Sequence, residues 1–442
     1  MVRSWKSLEA EYRRVTPKSR AQWERSKQLM PAGVIKGEYW LPPYPFYVDR
    51  SEGCYLWDLD GRQIVDFACH HTAMILGHTP PTVLEAVRRE AERGLALSAP
   101  TAIEAEIADE VVNRVPSVEK VRFCNSGSEA TQHTARLLRA YTGKPKIAKF
   151  EGAFQGSNDA LEISYNPPLD RAGPADAPTA VPTQDGMPPD AKGDVVVLPY
   201  GNREAVKRLL TEHSDELAGV FYDAKPGMFD IPKDFLHFVR RLTRKLGMLF
   251  VMDEVISFAV GYGGYQRKYD MDADLTVFGK IVGGGFPVGA IGGRAELMDV
   301  FDNSNPSNRT SMSGTFSGNN FTLAAGLATM RALTPEVYEH IEALRARVHT
   351  GLVDLFARAN IPFQAVSEGS VLSFYLTDRP VTDYRSSLTV DMPLTERIRL
   401  GLLLKGYNLR VGLVRTALSS PMTAEDIDGL LRAFETVLSD KD

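Results

Sequence analysis

A lysine in the middle of the chain has surroundings that could support covalent chemistry. Lys280 follows an apolar segment, residues 275–278, and precedes a glycine-rich run, GGGFPVGAIGG. Lysine side chains usually lie on solvated surfaces, but a partly buried amine with a lowered pKa can form imines with carbonyl compounds. Glycine also lets the backbone come close to a ligand. The pattern indicates either a site for imine chemistry or an ordinary lysine at the end of a strand.

An acidic residue ends another apolar segment. Asp253 closes the run MLFVM and is followed by Glu254. It could cap the next turn, or it could be a buried carboxylate that keeps the ring nitrogen of an electron-accepting cofactor protonated. Such a cofactor needs this partner because a protonated pyridine stabilises a carbanion. Val255, two residues beyond Asp253, could pack on one face of the ring.

Two further segments could hold a phosphorylated aromatic ligand. The sequence NSGSEA, which contains Ser126, Gly127 and Ser128, lies at a predicted junction between a strand and a helix. Unpaired backbone N–H groups and the helix dipole make such a junction a natural phosphate site. Phe154 follows the next predicted strand and could stack on a planar ring, although aromatic side chains more often belong to the core.

Short apolar segments alternate with helical segments around these residues. Strands are predicted at 118–124, 146–150, 195–198, 219–223, 248–253, 275–278 and 288–291, with helices at 129–141 and 234–246. Alternation of this kind predicts a largely parallel sheet covered by helices on both faces. Ligands bind at the carboxyl ends of strands in such folds, and Asn125, Asp253 and Lys280 lie at such ends.

The chain divides into three predicted parts. Residues 70–320 form a large α/β domain, residues 321–442 a smaller α+β domain, and residues 1–69 an N-terminal segment that packs with the smaller domain. The smaller domain is predicted to contain helices at 322–333, 340–357 and 396–405, a strand at 371–375 and a last helix that begins at Thr423. The N-terminal segment contains a hairpin with a turn at Asp60-Gly61.

A long insertion interrupts the large domain. Residues 165–193 are rich in proline, alanine and aspartate and show no apolar period. They could be a loose surface insertion. They could also be a mobile gate over the site, because long loops in compact domains often act as lids.

The composition excludes several classes of function. The 442 residues are 43% hydrophobic and carry a net charge of −5 without any basic run, which argues against a nucleic-acid partner. The cysteines, Cys54, Cys69 and Cys124, show no disulfide or metal-ligand spacing, so we expect a reducing compartment and no metal site. The N-terminus lacks the apolar core of a signal peptide, and no segment is long enough to span a bilayer. We therefore expect a soluble, cytoplasmic protein without a membrane partner.

Taken together, the motifs resemble those of the class III pyridoxal-phosphate-dependent aminotransferases. The resemblance extends over nearly the whole chain and is carried by AMILGH, VRFCNSGSEAT, YTGKPKIAKFEGAFQG, VMDEVISF, DLTVFGKIVGGGFPVGAIGGR and SGTFSGNN. The pattern is most similar to the glutamate-1-semialdehyde 2,1-aminomutase branch. It implies the aspartate-aminotransferase-like fold (fold type I), with a mostly parallel seven-stranded sheet in the large domain and a smaller α+β domain.

The resemblance also implies roles for individual residues. Lys280 binds pyridoxal phosphate as a Schiff base and then moves protons, and Asp253 pairs with the pyridinium nitrogen. The phosphate is held by Ser126, Gly127 and Ser128, and the ring lies between Phe154 and Val255. Thr315 reaches the phosphate of a partner subunit, so the resemblance implies a homodimer with shared active sites.

Four segments depart from the pattern of the family. Phe154-Gln155-Gly156 stands where Tyr-His-Gly is usual, and Asp223-Ala224-Lys225-Pro226 replaces a Glu-Pro segment. His70-His71-Thr72-Ala73 replaces Ser-Trp-Gly-Pro, and Ile35-Lys36-Gly37 replaces small polar residues. None of these changes affects Lys280, Asp253 or the phosphate loop, and Phe154 keeps an aromatic ring for stacking, so we expect an altered substrate pocket around a preserved cofactor site.

The substrate therefore stays open at the level of the sequence. The carboxylate of an amino acid needs a cationic partner, and the candidates are Lys36, Arg410 and Arg415, with His71 and Gln155 as further possible contacts. Each of the cations could also be an ordinary surface charge. The principal hypothesis is an aminotransferase that moves an amino group from an amino acid, including β-amino and aromatic or D-amino acids, to a keto acid or aldehyde. The alternatives are an intramolecular 2,1-aminomutase, a decarboxylase or racemase on the same scaffold, and a binding protein without activity.

Overall fold

The computed structural model describes residues 2–308 and 310–441. The helices are α1 Trp5–Val15, α2 Pro17–Ser26, α3 Cys69–Thr72, α4 Pro81–Arg93, α5 Ala102–Arg114, α6 Gly127–Thr142, α7 Arg203–Glu212, α8 Lys233–Lys245, α9 Gly264–Lys268, α10 Ala295–Met298, α11 Asn320–Ala332, α12 Pro335–Arg358, α13 Tyr384–Ser387, α14 Met392–Leu404 and α15 Ala424–Ser439. The strands are β1 Val48–Glu52, β2 Tyr55–Asp58, β3 Gln63–Asp66, β4 Lys120–Cys124, β5 Lys146–Phe150, β6 Val195–Leu198, β7 Leu217–Asp223, β8 Leu249–Asp253, β9 Leu275–Gly279, β10 Gly289–Gly293, β11 Gln364–Glu368, β12 Val371–Tyr375, β13 Tyr407–Asn408 and β14 Thr416–Ala417. The chain forms two compact units, which we describe separately.

One unit, residues 81–338 with 381–388, contains a seven-stranded sheet. The strand order is β4-β10-β9-β8-β7-β5-β6, and the strands from β9 to β6 run parallel, whereas β10 is antiparallel to both of its neighbours. The predicted mostly parallel seven-stranded sheet is therefore confirmed, and each strand lies within two residues of its predicted position. Helix α6 packs apolar residues against the sheet, and β7, β8 and β9 are buried along their whole length. Strands covered on both faces read as continuous apolar runs in the sequence.

The other unit, residues 1–80, 339–380 and 389–442, combines two small sheets with helices. Strands β1, β2 and β3 form an antiparallel meander that β13 extends in parallel, and β11, β12 and β14 form the second sheet. The turn between β2 and β3 contains Gly61 at φ +84°, as the Asp-Gly signal predicts. Thr423 caps α15 reciprocally with Asp426, which confirms the predicted start of the last helix.

The boundaries of the units differ from the predicted domain limits at 69/70 and 320/321. The division lies after Pro80 and after Tyr338. Helix α11 belongs with the sheet because it packs on α4 and α5, and its Leu323 and Leu327 form a cluster with Ile107. In the described part of the chain, no helix combines the length and apolar character that crossing a membrane requires.

Candidate active site

Asp253 and Lys280 come from neighbouring strands of the sheet. Asp253 is the last residue of β8, and its Cα pairs with that of Val277 in β9. Lys280 follows the last residue of β9 and opens a 3-10 turn. Its φ of +52° lies in the left-handed region, which is strained for a residue with a side chain. The carboxyl ends of two parallel strands therefore bring the two chemically important residues to one edge, as predicted.

Val255 packs at the junction of these elements. A Cβ added at Gly127, the first residue of α6, would lie 3.2 Å from Val255 Cγ2, and one at Gly279 would lie 3.3 Å from Val255 Cγ1. The isopropyl group therefore contacts both the start of α6 and the residue before Lys280. The two glycines provide the space that this close packing needs.

The start of helix α6 has the geometry of an anion site. Ser126 is the N-cap, and its Oγ accepts from Glu129 N at 3.1 Å, while Glu129 Oε2 accepts from Asn125 N at 2.9 Å. The N–H groups of the first turn, at Gly127 and Ser128, have no acceptor within the helix. They point out of the helix at its positive end. The Ser126 hydroxyl already serves as a cap, so the backbone N–H groups of the first turn are the donors available to an anion.

Phe154 lies on the loop after β5 and is half-buried. Its ring packs against that of Tyr165, with centroids 4.8 Å apart and planes inclined by 52°. The next residue, Gln155, is 1% exposed, and its side-chain amide finds no hydrogen-bond partner in the described part of the chain. A buried amide without a partner is costly, so this side chain is a candidate contact for a bound ligand or a buried water.

Asp253 has an environment that disfavours its charge. The side chain is 5% exposed, and Oδ1 accepts from Val255 N at 3.0 Å. Burial, together with the neighbouring carboxylate of Asp223, raises the pKa of Asp253 to about 7. A cationic ring nitrogen beside it would favour the ionised form, because opposite charges in a buried site stabilise one another.

Sequence reasoning missed two buried lysines near Asp253. Lys225 pairs with Asp223, Nζ to Oδ2 at 2.9 Å, in the segment that departs from the family pattern. Lys149 is fully buried in β5 and donates to the carbonyl oxygens of Ala153 and Leu161 at 2.8 and 2.9 Å, and also to that of Ile163. The charged residue within the run KIAKF was the signal that could have identified it, because a strand interior rarely accommodates an ammonium group without partners.

Thr315 lies on an exposed turn of the same unit. Gly314 and Ser317 flank it, and Asn125 Nδ2 donates to Ser317 Oγ at 3.4 Å. The turn borders a cleft of about 280 Å³ that also includes Leu97 and Phe316, which are 41% and 62% exposed. Within one chain the turn thus contacts Asn125, which precedes the N-cap of α6. Thr315 itself is exposed.

Four of the five candidate substrate residues belong to the other unit. Arg410 contacts the imidazole of His71, whose Nε2 lies 3.2 Å from Glu38 Oε2. Burial and the nearby Arg415 lower the pKa of Arg410 to about 10. Lys36 Nζ lies over the ring of Tyr39 at 4.3 Å, and burial lowers its pKa. Glu38, the acidic group in contact with His71, has an exposed side chain, so an anionic ligand could lie against Arg410 and Lys36.

A cavity of about 800 Å³ opens beside these cations. Its walls include Arg410, both histidines of the segment His70-His71 and several aliphatic side chains. Four aromatic residues also line it: Tyr39, Trp40, Phe46 and Tyr47. Both histidines lie in α3, where four consecutive residues from Cys69 to Thr72 have positive φ. A left-handed turn of residues with side chains is unfavourable. Asp66 stabilises it by accepting from Ala68 N and Cys69 N.

The residues of the sheet unit fit pyridoxal phosphate as a ligand. The helix start offers donors to a phosphate, the amine of Lys280 can react with an aldehyde, and the buried Asp253 matches a ring nitrogen. The unpartnered Gln155 amide adds a polar contact. All of these groups lie in one unit, at or beside the ends of strands β4, β5, β8 and β9.

Comparisons with known proteins agree with this chemistry. The family model described as aminotransferase class-III matches residues 38–438. The glutamate-1-semialdehyde 2,1-aminomutase of Heliobacterium modesticaldum is 35% identical over 96% of this chain and 97% of its own. An omega-transaminase from Sphaerobacter thermophilus, solved by crystallography, is 37% identical, with a TM-score of 0.92 over 96% of this chain and 97% of that one.

Two other solved structures are also similar. A transaminase with pyridoxal phosphate bound is 30% identical, with a TM-score of 0.87 over 96% of this chain and 97% of that one. A β-phenylalanine aminotransferase from Variovorax paradoxus is 29% identical, with a TM-score of 0.86 over 98% of this chain and 96% of that one.

Proposed function

The chain belongs to the class III aminotransferases, which depend on pyridoxal phosphate, and we propose that it transfers an amino group from an amino acid to a keto acid or aldehyde with Lys280 as the residue that binds the cofactor. The observation that carries the proposal is the placement of Lys280 and Asp253 at the ends of the neighbouring strands β8 and β9, with Val255 against the start of α6. In this proposal the unit that contains the seven-stranded sheet binds the cofactor.

When bound, pyridoxal phosphate supplies an electron-accepting ring that stabilises negative charge on the carbon from which a proton is removed. Lys280 would hold the cofactor through its amine, and the same amine would then hold the proton that leaves the amine-bearing carbon of the substrate. Asp253 keeps the ring nitrogen protonated. The Gly127 and Ser128 N–H groups and the capped turn at Ser126 hold the phosphate.

Other residues orient the ring and exclude water. Phe154 and Val255 cover its two faces, and Gln155 donates or accepts a hydrogen bond at its edge. A ring held between two apolar surfaces keeps one orientation, which directs proton movement to one face. Water is kept from the reacting carbon by the same surfaces.

The proposed substrate is an amino acid with an apolar or aromatic group. Arg410 binds its carboxylate, with Lys36, His71 and Arg415 as further contacts, because Arg410 and His71 line one cavity and a guanidinium group there favours an anionic ligand. Aromatic walls of the cavity favour an apolar side chain. A similar solved protein is a β-phenylalanine aminotransferase, which supports β- and aromatic amino acids as first candidates.

An intramolecular aminomutase is the second candidate function. It is favoured by one observation, the 35% identity with a glutamate-1-semialdehyde 2,1-aminomutase over nearly the whole of both chains. An aminomutase would use the same residues but would need no second substrate. Loss of CO₂ or a change of optical rotation alone would identify the less favoured decarboxylase or racemase.

We also propose a homodimer in the cytoplasm. The exposed Leu97 and Phe316 beside Thr315 form an apolar surface that a second copy of the chain would cover, and Thr315 would then reach the phosphate of the partner subunit. The three cysteines are free thiols, which suits a reducing compartment.

The visible spectrum of the purified protein tests the function. We expect a band of bound cofactor in the wild type and in the surface control Lys245→Ala, and none in Lys280→Ala. One class of α-, β- or D-amino acid, added without an acceptor, should convert the band to that of the amine form. A protein that converts with no donor but isomerises an aminoaldehyde without co-substrate would be an aminomutase. Absence of any band after addition of pyridoxal phosphate would refute the role of Lys280.

A further inference from the structure

The insertion at residues 165–193 is paired with the chain that precedes it. Ser164 N donates to Val181 O at 2.7 Å, and Val181 N donates to Ser164 Oγ at 2.9 Å. Ile163 forms an antiparallel bridge with Pro182. The interior of the insertion is therefore joined to the residues just before it in the manner of two short strands, which a loose surface loop would not show.

Helix α13 holds the middle of the insertion. Tyr384 Oη donates to Pro167 O at 3.0 Å. The guanidinium of Arg385 donates to three consecutive carbonyl oxygens, those of Ala172, Gly173 and Pro174, at 2.9 to 3.3 Å. It also forms a bidentate pair with Glu151, both contacts at 2.9 Å. Glu151 is 4% exposed, so breaking this pair would leave a buried charge without a partner, which is strongly unfavourable.

Lys149 anchors the segment between β5 and the insertion. Its ammonium group has three donors, and they are taken by Ala153 O, Leu161 O and Ile163 O. Ala153 directly precedes Phe154, and Ile163 directly precedes the paired start of the insertion. Burial lowers the pKa of Lys149 to about 7, while three carbonyl oxygens favour its protonated form.

The insertion and the loop that carries Phe154 meet at a pair of aromatic rings. Tyr165, the first residue of the insertion, packs on Phe154 with ring centroids 4.8 Å apart. We propose that residues 165–193 form a fixed buttress rather than a gate, and that Tyr165 positions the Phe154 ring against the cofactor. This inference rests on the proposed stacking role of Phe154. Tyr165 acts on the cofactor through Phe154 in this scheme, so it is a positioning residue.

Hydrogen exchange distinguishes a buttress from a gate. A buttress keeps its backbone hydrogen bonds, so the amides of residues 165–193 that are hydrogen-bonded should exchange slowly in the cofactor-free protein and in the holoenzyme alike. Addition of an amino-acid donor should not change their rates. A gate would exchange fast in the holoenzyme and become protected when the donor binds, and that result would overturn the proposal.

The ring pair is tested with Tyr165→Leu, with Tyr165→Phe as the conservative variant and Tyr141→Leu as the control. Tyr141 lies in the same unit and is 45% exposed. We expect Tyr165→Leu to raise the Kd for pyridoxal phosphate roughly three- to ten-fold, in keeping with the energy of one aromatic pair. The visible circular dichroism of the bound cofactor should weaken as well, because the ring loses its fixed orientation.

Tyr165→Phe and Tyr141→Leu should keep the Kd and the dichroic band of the wild type. An unchanged band and Kd in Tyr165→Leu would overturn the inference while leaving the proposed function intact, since the wild type would still show its cofactor band. If Tyr165→Leu does not fold, Arg385→Gln takes its place. It should speed exchange in residues 165–193 and weaken the dichroic band, and failure of either effect would overturn the buttress.

Discussion

At the scale of single residues, the buried carboxylate of Asp253 makes the cofactor-free protein sensitive to pH. Its neighbour Asp223 ends the adjacent strand β7, and the two Cα atoms are partners in the parallel pairing of β7 with β8. Lys225 neutralises Asp223 through an ion pair at 2.9 Å. The Asp253 carboxylate accepts a hydrogen bond from Val255 N, but burial and the nearby Asp223 oppose its ionisation.

The raised pKa of Asp253 determines the direction in which the stability of the folded protein changes with pH. The pKa of Asp253 is raised from 3.8 to about 7 in the folded protein. Between these values the folded state binds more protons than the unfolded chain, so stability falls as pH rises from about 4 to about 7. Each unit of pKa difference corresponds to about 1.4 kcal/mol. We therefore expect cofactor-free Asp253→Asn to gain stability over the wild type across this range, by up to a few kcal/mol.

Urea denaturation of the cofactor-free proteins at several pH values measures this difference. The exposed Asp159→Asn is the control, and its difference from the wild type should stay flat between pH 4.5 and 8. A flat difference for Asp253→Asn as well would show that Asp253 ionises in the folded protein as it does in the unfolded chain.

Residues of the site differ in how far the sequence reveals them. Lys280 and Asp253 were predicted as site residues because each lies at the end of an apolar run, and Ser126 because it lies at a junction between a strand and a helix. Lys225 and Lys149 were not, because the groups that stabilise them are Asp223 and backbone carbonyl oxygens brought together by the fold. The positive φ of Lys280 has no signal in the sequence either, since glycine is the residue that usually marks such a backbone.

At the scale of elements, the loop after β5 makes a close approach to the start of helix α6. Gly156 has φ +83°, and a Cβ added there would lie 2.5 Å from Ser128 Cα, closer than real Cβ atoms come. Ser157 N also donates to Ser128 Oγ at 3.0 Å. The loop that carries Phe154 and the helix that offers phosphate donors are thus fixed against each other at one glycine.

Gly156→Ala should therefore weaken cofactor binding as well as stability. The methyl group forces the loop away from Ser128, which displaces the first turn of α6, and we expect the Kd for pyridoxal phosphate to rise about ten-fold or more. Gly186→Ala is the matched control, because Gly186 has φ +89° but no atom within 4 Å of an added Cβ. It should lose about 1 kcal/mol through backbone strain and keep its affinity for the cofactor.

Equilibrium titration of the two variants with pyridoxal phosphate, followed by absorbance, gives the comparison. Equal affinities for Gly156→Ala and Gly186→Ala would mean that the approach to Ser128 does not determine phosphate binding. The melting temperatures of both variants, measured without cofactor, separate the effect on affinity from the effect on stability.

Most elements were predictable, and the exceptions have physical causes. The central strands β7, β8 and β9 are buried along their whole length and are largely apolar in the sequence, so each lies within two residues of its predicted position. Helix α6 begins two residues before its predicted start because Ser126 and Glu129 cap it. Residues 165–193 gave two open interpretations, since their order comes from hydrogen bonds to Arg385 and Tyr384, which leave no apolar period.

At the scale of the whole molecule, the sequence pattern predicted two kinds of domain, and the compact units of the structure have limits that differ from the predicted ones. Helix α11 was assigned to the smaller domain because it follows the last recognised motif. Its apolar residues Leu323 and Leu327 instead pack with Ile107 in the sheet unit. Periodicity shows that a helix has an apolar face, but it does not show which unit that face covers.

The proposed dimer makes a prediction about mixed subunits. If Thr315 contributes to the site of the partner subunit, a dimer of one Lys280→Ala chain and one Thr315→Glu chain has one site with both native residues. The other site carries both defects. Random reassortment should therefore recover about a quarter of wild-type activity from two variants that are each inactive alone.

Activity after co-expression or after dissociation and reassociation of the two variants checks this expectation. Lys280→Ala mixed with a chain that carries both substitutions is the control and should recover nothing, because every dimer then lacks Lys280. If Thr315 acts on its own chain, as its place beside Asn125 and Ser317 would allow, the first mixture also stays inactive. Recovery of activity would show that Thr315 and the Lys280 of the same active site come from different chains. This conclusion would not need a measurement of the interface itself.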